Sequence, residues 1–231
     1  MNKRILITGT SRGIGKYLVN YYTSLGYSVI GCSRNEVNYT FENYEHFICD
    51  ISDEKSVKQI FRTISKAHGG IDILINNAGI ASMNHSLLTE ISTVKNIFDT
   101  NLIGPFLFSR EAAKLMQKNK FGRIINFSTV AVPLALEGEA IYASSKAAVI
   151  SLTKTLSKEL SNFGITVNAI GPTPVKTDLI KSIPKKKLDD LINMQTIKRY
   201  GEFQDISNVL DFFISEKSDF ITGQEIYLGG V

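Results

Sequence analysis

The sequence predicts an α/β protein: one doubly wound parallel sheet of about seven strands with helices on both faces. Three observations carry that expectation. Short β-branched runs alternate with longer amphipathic ones, the strand runs are almost continuously apolar, and no linker or internal repeat breaks the alternation. A parallel strand covered by helices on both sides has no polar face, so a continuous apolar run is its signature. The 231 residues then form one domain, 1–231, with 43% hydrophobic residues to fill its core.

In chain order, "RILIT" (4 to 8), "SVIGCS" (28 to 33), "HFIC" (46 to 49), "IDILIN" (71 to 76), "RIINFS" (123 to 128), "ITVNAI" (165 to 170) and "EIYL" (225 to 228) read as strands. Helical periodicity covers Gly13 to Leu25, Asp53 to His68, roughly Ser92 to Lys118, Tyr142 to Asn162 and Gln204 to Ser215. The least regular stretch, 173–199, holds Pro174, Pro184 and three consecutive lysines, and reads as a substrate lid within the domain rather than a boundary.

Composition narrows the function. A formal charge of +4 is spread along the chain, and its densest run, Lys185 to Lys187, has no aromatic interleaving, which argues against a nucleic-acid partner. Cys32 and Cys49 follow apolar runs and read as free buried thiols in a reducing compartment, not as metal ligands. The opening apolar run, Ile5 to Ile7, is too short for a leader, and no stretch approaches a membrane span. The expectation is a soluble cytoplasmic protein with no membrane or metal partner.

After the first strand comes "TGTSRGIG", with Gly9, Gly13 and Gly15 at a strand-to-helix turn. Glycines let backbone N–H groups approach a pyrophosphate at a helix N-terminus. The spacing G-x-x-x-G-x-G differs from the commoner dinucleotide fingerprint, and a purely structural turn is the competing reading. At the end of the second strand, where an acid would hold an NAD ribose, the sequence has "GCSRN": Arg34 stands there, and Arg12 lies in the glycine turn. Both favour the 2′-phosphate of NADP(H) over NAD(H).

With "NNAG" (76 to 79), "TNLIG" (100 to 104), Tyr142-x-x-x-Lys146 and the closing "FITGQEIYLGG" in this order, the sequence resembles the short-chain dehydrogenase/reductase family through nearly its whole length. It is most similar to 3-oxoacyl-[acyl-carrier-protein] reductases. The resemblance implies a Rossmann-type fold and makes Tyr142 the proton donor or acceptor, Lys146 its electrostatic partner and ribose ligand, and Asn101 the anchor of a relay water. It further implies that Gly9, Ser11, Arg12 and Ile14 hold the cofactor phosphates together with Gly13 and Gly15. Asp50 and Ile51 would border the adenine, Asn77 the cleft, and Val175 and Thr177 the nicotinamide carboxamide. Family members commonly form homotetramers or homodimers; Phe106, Leu107, Val149 and Leu156 are candidate interface residues, with burial against the sheet the alternative for each.

The pair also stands on its own physics. Positions i and i+4 of a helix lie about 5–6 Å apart on one face. At an effective dielectric near 20 a charge at about 5 Å is worth roughly 3 kcal/mol. That would bring a tyrosine pKa from about 10 to about 8. The competing reading is a packed Tyr and a snorkelling Lys; the small neighbours Ala140, Ala143, Ser144, Ser145 and Ala147 leave room for reactants instead.

Two positions depart from the family pattern. Where a serine usually bonds the substrate oxygen the chain has Thr129, which offers the same hydroxyl, and Ser128 beside it is the alternative donor. In "GPTPVKT", Thr173 replaces a usual glycine. Three readings follow. The first is an NADP(H)-dependent oxidoreductase acting on a carbonyl or secondary alcohol, including a carrier-bound 3-oxoacyl thioester, for which Lys114, Lys118, Lys120 and Arg123 offer a basic patch. The second keeps the chemistry for a sugar or other polar metabolite. The third is a catalytically silent NADP-sensing binding protein.

Overall fold

Strand β1 (Arg4–Thr8) runs through the sheet in a computed structural model that describes residues 3–180 and 183–231. With β2 (Ser28–Ser33), β3 (Tyr44–Ile48), β4 (Ile73–Asn76), β5 (Gly122–Phe127), β6 (Ile165–Gly171) and β7 (Glu225–Tyr227), it forms a sheet ordered β3-β2-β1-β4-β5-β6-β7. Every pairing is parallel, with Ile5 opposite Val29 on one side and Ile73 on the other. The chain therefore winds outward from β1 to β3, returns, and winds the other way from β4. A crevice opens at the carboxyl ends of β1 and β4, where such folds bind ligands.

Alternate residues of each strand serve opposite cores. Leu6, Ile30, Leu74, Ile124 and Val167 face one layer, built by α2 (Glu54–His68), α4 (Gly104–Met116) and α6 (Ala140–Leu160). Ile5, Ile7, Val29, Ile73, Ile75 and Ile125 face the other, built by α1 (Gly13–Ser24) and α8 (Phe203–Ile214). Ile5 and Ile7 have no exposed surface, and burying such a side chain contributes about 1.5–3 kcal/mol.

The expected helix from Ser92 to Lys118 is two helices, α3 (Ile91–Phe98) and α4, joined by a π-type turn at Asp99–Ile103. Pro105 is the cause. It has no N–H to return to residue 101, and the Gly104 N–H reaches back to Asp99 instead. A four-residue helix, α5 (Ala131–Leu134), follows β5.

Segment 173–199 is more regular than expected. Val175 bridges Gly201, Asp178–Ile180 forms a 3₁₀ turn, and Lys185–Met194 is a helix, α7, docked by buried Leu188. Three lysines in a first turn oppose the helix dipole, so local preference hides this helix and tertiary packing makes it. Residues 181 and 182 of this stretch lie outside the described residues.

Candidate active site

The glycine turn leaves β1 with Gly9 at φ +74°, a conformation costly for any side chain, and a Cβ there would stand 2.8 Å from the Cα of Ala78. At Gly15 a Cβ would come 2.1 Å from the Gly9 carbonyl oxygen, so helix and turn touch backbone to backbone. Helix α1 begins without a side-chain cap and without an acid in its first turn. Its first N–H groups thus face the crevice with no competing carboxylate, and this cradle fits a dinucleotide pyrophosphate. Ser11, Arg12 and Arg34 are exposed beside it. Thr177 closes on the turn, 3.6 Å from where a Gly13 Cβ would lie, and a cavity of about 570 Å³ extends from Gly13 and Thr177 to Leu188 of α7.

Several expected ligand residues are tied into the fold. Asn77 donates to the carbonyls of Thr8 (2.8 Å) and Gly9 (3.2 Å), pinning β4 to the glycine turn. Asp50 accepts from the N–H and hydroxyl of Ser52, and Ile51 fills the space that Gly104 leaves. Val175 is buried, and the hydroxyl of Thr173, in the place of the usual glycine, donates to Gln195 at 2.6 Å.

At the crevice floor, α6 carries Tyr142 and Lys146 one turn apart. Lys146 is 4% exposed, and its Nζ donates to the carbonyl of Phe127 at 2.8 Å. Burial lowers its pKa to about 8. Burial raises the Tyr142 phenol to about 12; the Thr129 hydroxyl opposes this, and the carboxylate of Glu139 adds to it. The expectation that Lys146 brings the phenol to about 8 is therefore corrected. Desolvation sets the direction, and Lys146 is not among the groups that act on the phenol; its ammonium donates to a backbone carbonyl.

Thr129 and Ser128 part company. Thr129 acts on the Tyr142 phenol and its hydroxyl accepts from the N–H of Ala131, whereas the buried Ser128 hydroxyl makes no hydrogen bond of good geometry and acts on the Tyr227 phenol instead. Asn101, drawn inward by the π turn, exchanges hydrogen bonds with the N–H and carbonyl of Ile80, both at 2.9 Å. It also donates to Ser145, which donates to the carbonyl of Tyr142 at 2.7 Å. Ser145 thus couples Asn101 to the phenol's helix, a link that sequence reasoning missed because the residue reads only as small. Glu139 and Gly79 were missed as well. A Cβ on Gly79 would stand 3.3 Å from both Asn101 Oδ1 and Lys146 Nζ, so "NNAG" ends in glycine where the three elements meet.

Two surface expectations fail. Leu107, Val149 and Leu156 are buried in the chain's own cores, leaving Phe106 alone of the four on an outer face. Arg123 is 2% exposed, lies over the Phe121 ring and donates to the Gly122 carbonyl, so it cannot join a basic patch. Lys114 is engaged by Glu111. Among the described residues no group of acidic, histidine and cysteine side chains is placed to hold a metal, and no helix is long and apolar enough to cross a membrane.

Comparison with known proteins agrees with this geometry. A family model described as enoyl-(acyl carrier protein) reductase, of the short-chain dehydrogenase type, matches residues 9–230. The chain is 35% identical over 234 residues to the 3-oxoacyl-[acyl-carrier-protein] reductase FabG of Rickettsia felis, covering 99% of this chain and 95% of that one. Among solved structures, ElxO with NADP bound superposes with a TM-score of 0.90 at 31% identity, covering 99% of this chain and 97% of the other. A 4-hydroxyisoleucine dehydrogenase complexed with NADH gives 0.89 at 31% identity, covering 99% and 98%. The chain belongs to the short-chain dehydrogenase/reductase family of oxidoreductases.

Proposed function

We propose that this chain is an NADP(H)-dependent oxidoreductase that interconverts a carbonyl and a secondary alcohol, with Tyr142 exchanging the proton. The observation that carries the reading is the Tyr142 phenol, on which the Thr129 hydroxyl acts, one helical turn from the buried ammonium of Lys146. Thr129 holds the substrate oxygen against the phenol. Tyr142 gives that oxygen its proton during reduction and takes it back during oxidation. Lys146 keeps positive charge at the floor, and Asn101, through Ser145, fixes the turn of helix that aims the phenol.

Gly9, Ser11, Arg12, Gly13, Ile14 and Gly15 hold the cofactor's phosphates; Arg34 takes the 2′-phosphate. Asp50 and Ile51 border the adenine, Asn77 lines the cofactor cleft beside the glycine turn, and Val175 and Thr177 meet the nicotinamide carboxamide. A reduced nicotinamide bound there supplies the hydride for the carbonyl carbon. The likeness to ElxO with NADP bound, and the absence of an acid at the end of β2, support NADP(H) over NAD(H).

For substrate, relatives named 3-oxoacyl-[acyl-carrier-protein] reductase support a 3-oxoacyl thioester. A polar metabolite is the second reading, favoured by the carboxylate of Glu139 beside the phenol. The proposal includes one domain over 1–231 with 173–199 as its lid, and a reducing, cytoplasmic setting suited to two free thiols. It also includes a homodimer or homotetramer built over outward apolar residues such as Ile103 and Phe106.

The test is NADPH oxidation with acetoacetyl thioesters, diketones, hydroxy-ketones and keto-sugars. Reduction of at least one, abolished by Tyr142→Phe, is expected. No oxidation with any of them contradicts the reading.

A further inference from the structure

Glu139 is a buried charge that the proposed chemistry does not use. It is 8% exposed, and glutamates are rarely buried so deeply unless paired. Among the described residues its carboxylate accepts no hydrogen bond, yet neither oxygen is sealed from solvent. Its lone pairs therefore open onto accessible space.

Position identifies that space. Glu139 is the N-cap residue of α6, and its carbonyl accepts from the N–H of Ala143 at 2.7 Å, which fixes it at the start of the helix. Glu139 leads directly into the first turn of α6, which carries Tyr142, and its charge acts on the phenol. The cation that acts on Glu139 is Lys187 of α7. Lys187 is exposed at the rim, its Nζ 3.7 Å from Met83 Sδ and 3.7 Å from where a Gly138 Cβ would lie. It makes no contact ion pair with Glu139 among the described residues, so the carboxylate keeps its acceptor capacity.

We propose that Glu139 selects the substrate: its carboxylate takes a hydrogen-bond donor, a hydroxyl or an ammonium group, carried one or two carbons from the carbonyl that is reduced. The assignment rests on Tyr142 acting as the proton donor and chooses the polar-metabolite class for that same site. A buried acceptor left unfilled is costly, and a charge-assisted hydrogen bond restores what desolvation removed. A hydroxy-ketone, a sugar or an amino-ketone brings such a donor. A plain alkyl ketone brings only methylenes, which leave the carboxylate stranded.

The experiment compares kcat/KM with NADPH for hydroxyacetone against butanone, in which a methyl replaces the hydroxyl, and for 4-hydroxy-2-butanone against 2-pentanone. The intact chain, Glu139→Ala, Glu139→Gln and Lys187→Met are measured. Taking the ratio within each chain and comparing it between chains cancels the ketones' own reactivities. In at least one pair the preference for the hydroxy-ketone falls about 10- to 100-fold in Glu139→Ala. A several-fold fall is expected in Glu139→Gln, which keeps an accepting oxygen without charge and decides the matter if the alanine variant does not fold. An unchanged ratio in these variants, or an equal collapse in Lys187→Met, overturns the assignment. So does turnover of acetoacetyl thioesters with every hydroxy-ketone inert; both results leave the oxidoreductase reading standing. No NADPH oxidation with any of these carbonyls removes that reading and this assignment together.

Discussion

The ammonium of Lys146 donates to the carbonyl of Phe127 across 2.8 Å, tying the floor of α6 to the last residue of β5. The charge is held in place at a cost. Its pKa of about 8, against 10.5 for a free lysine, means that the folded chain binds this proton less tightly than the unfolded chain. The unfolded state then holds more protons between those two values, so stability rises with pH across that window, and below pH 8 the full cost is carried.

Lys146→Met should therefore stabilise the fold at pH 7 by about 1–3 kcal/mol, with the lost bond to Phe127 included, while reducing turnover sharply. Urea unfolding at neutral pH and near pH 10 checks it. The gain should shrink at the higher pH, where the native lysine is already neutral; a variant less stable than the parent at pH 7 contradicts the account.

Thr129 and Ser128 should separate cleanly. Thr129→Val removes the hydroxyl that lowers the Tyr142 pKa, so the phenol should titrate higher and turnover should fall by about 100-fold. Ser128→Ala removes a buried hydroxyl that makes no hydrogen bond of good geometry and should leave turnover within a few-fold while keeping or raising stability by up to about 1 kcal/mol. Steady-state kinetics and a tyrosinate absorbance titration read both.

Cofactor choice should turn on Arg34, which is exposed at the end of β2. Arg34→Asp should weaken NADPH by about 10- to 150-fold and improve NADH. Equal use of both cofactors by the unaltered chain would count against the assignment.

Gly15→Ala should be severe for so small a change, because the added methyl would sit 2.1 Å from the Gly9 carbonyl oxygen. A loss of about 1–3 kcal/mol in unfolding free energy is expected, together with weaker NADPH binding, since the turn must open to admit the methyl.

The sheet was legible because its five inner strands, β2, β1, β4, β5 and β6, run almost wholly buried on both faces, and helix ends fell within a few residues where caps such as Asp53 and Gly69 mark them. The π turn that aims Asn101 inward was less visible; Pro105 is its signal, but periodicity on either side hides it. Helix α7 escaped because its first turn holds three lysines, an arrangement set by tertiary packing and not by local preference.

Within the site, order and spacing of motifs placed Tyr142, Lys146, Asn101 and the glycine turn together. Spacing could not supply burial. The direction of the Tyr142 shift, the inward turn of Arg123 and the open carboxylate of Glu139 all depend on solvent access, which no pattern of i and i+4 contains.

The central claim is that Tyr142 delivers the proton, and single-turnover reduction by Tyr142→Phe tests it most directly, with NADPH affinity measured on the same variant by nicotinamide fluorescence. The account predicts reduction slowed by at least about 1,000-fold, within the range of general-acid catalysis, at nearly unchanged NADPH affinity, because only the proton-bearing hydroxyl is gone. Reduction of a confirmed substrate at the parent rate would contradict it, since the proton would then come from another group.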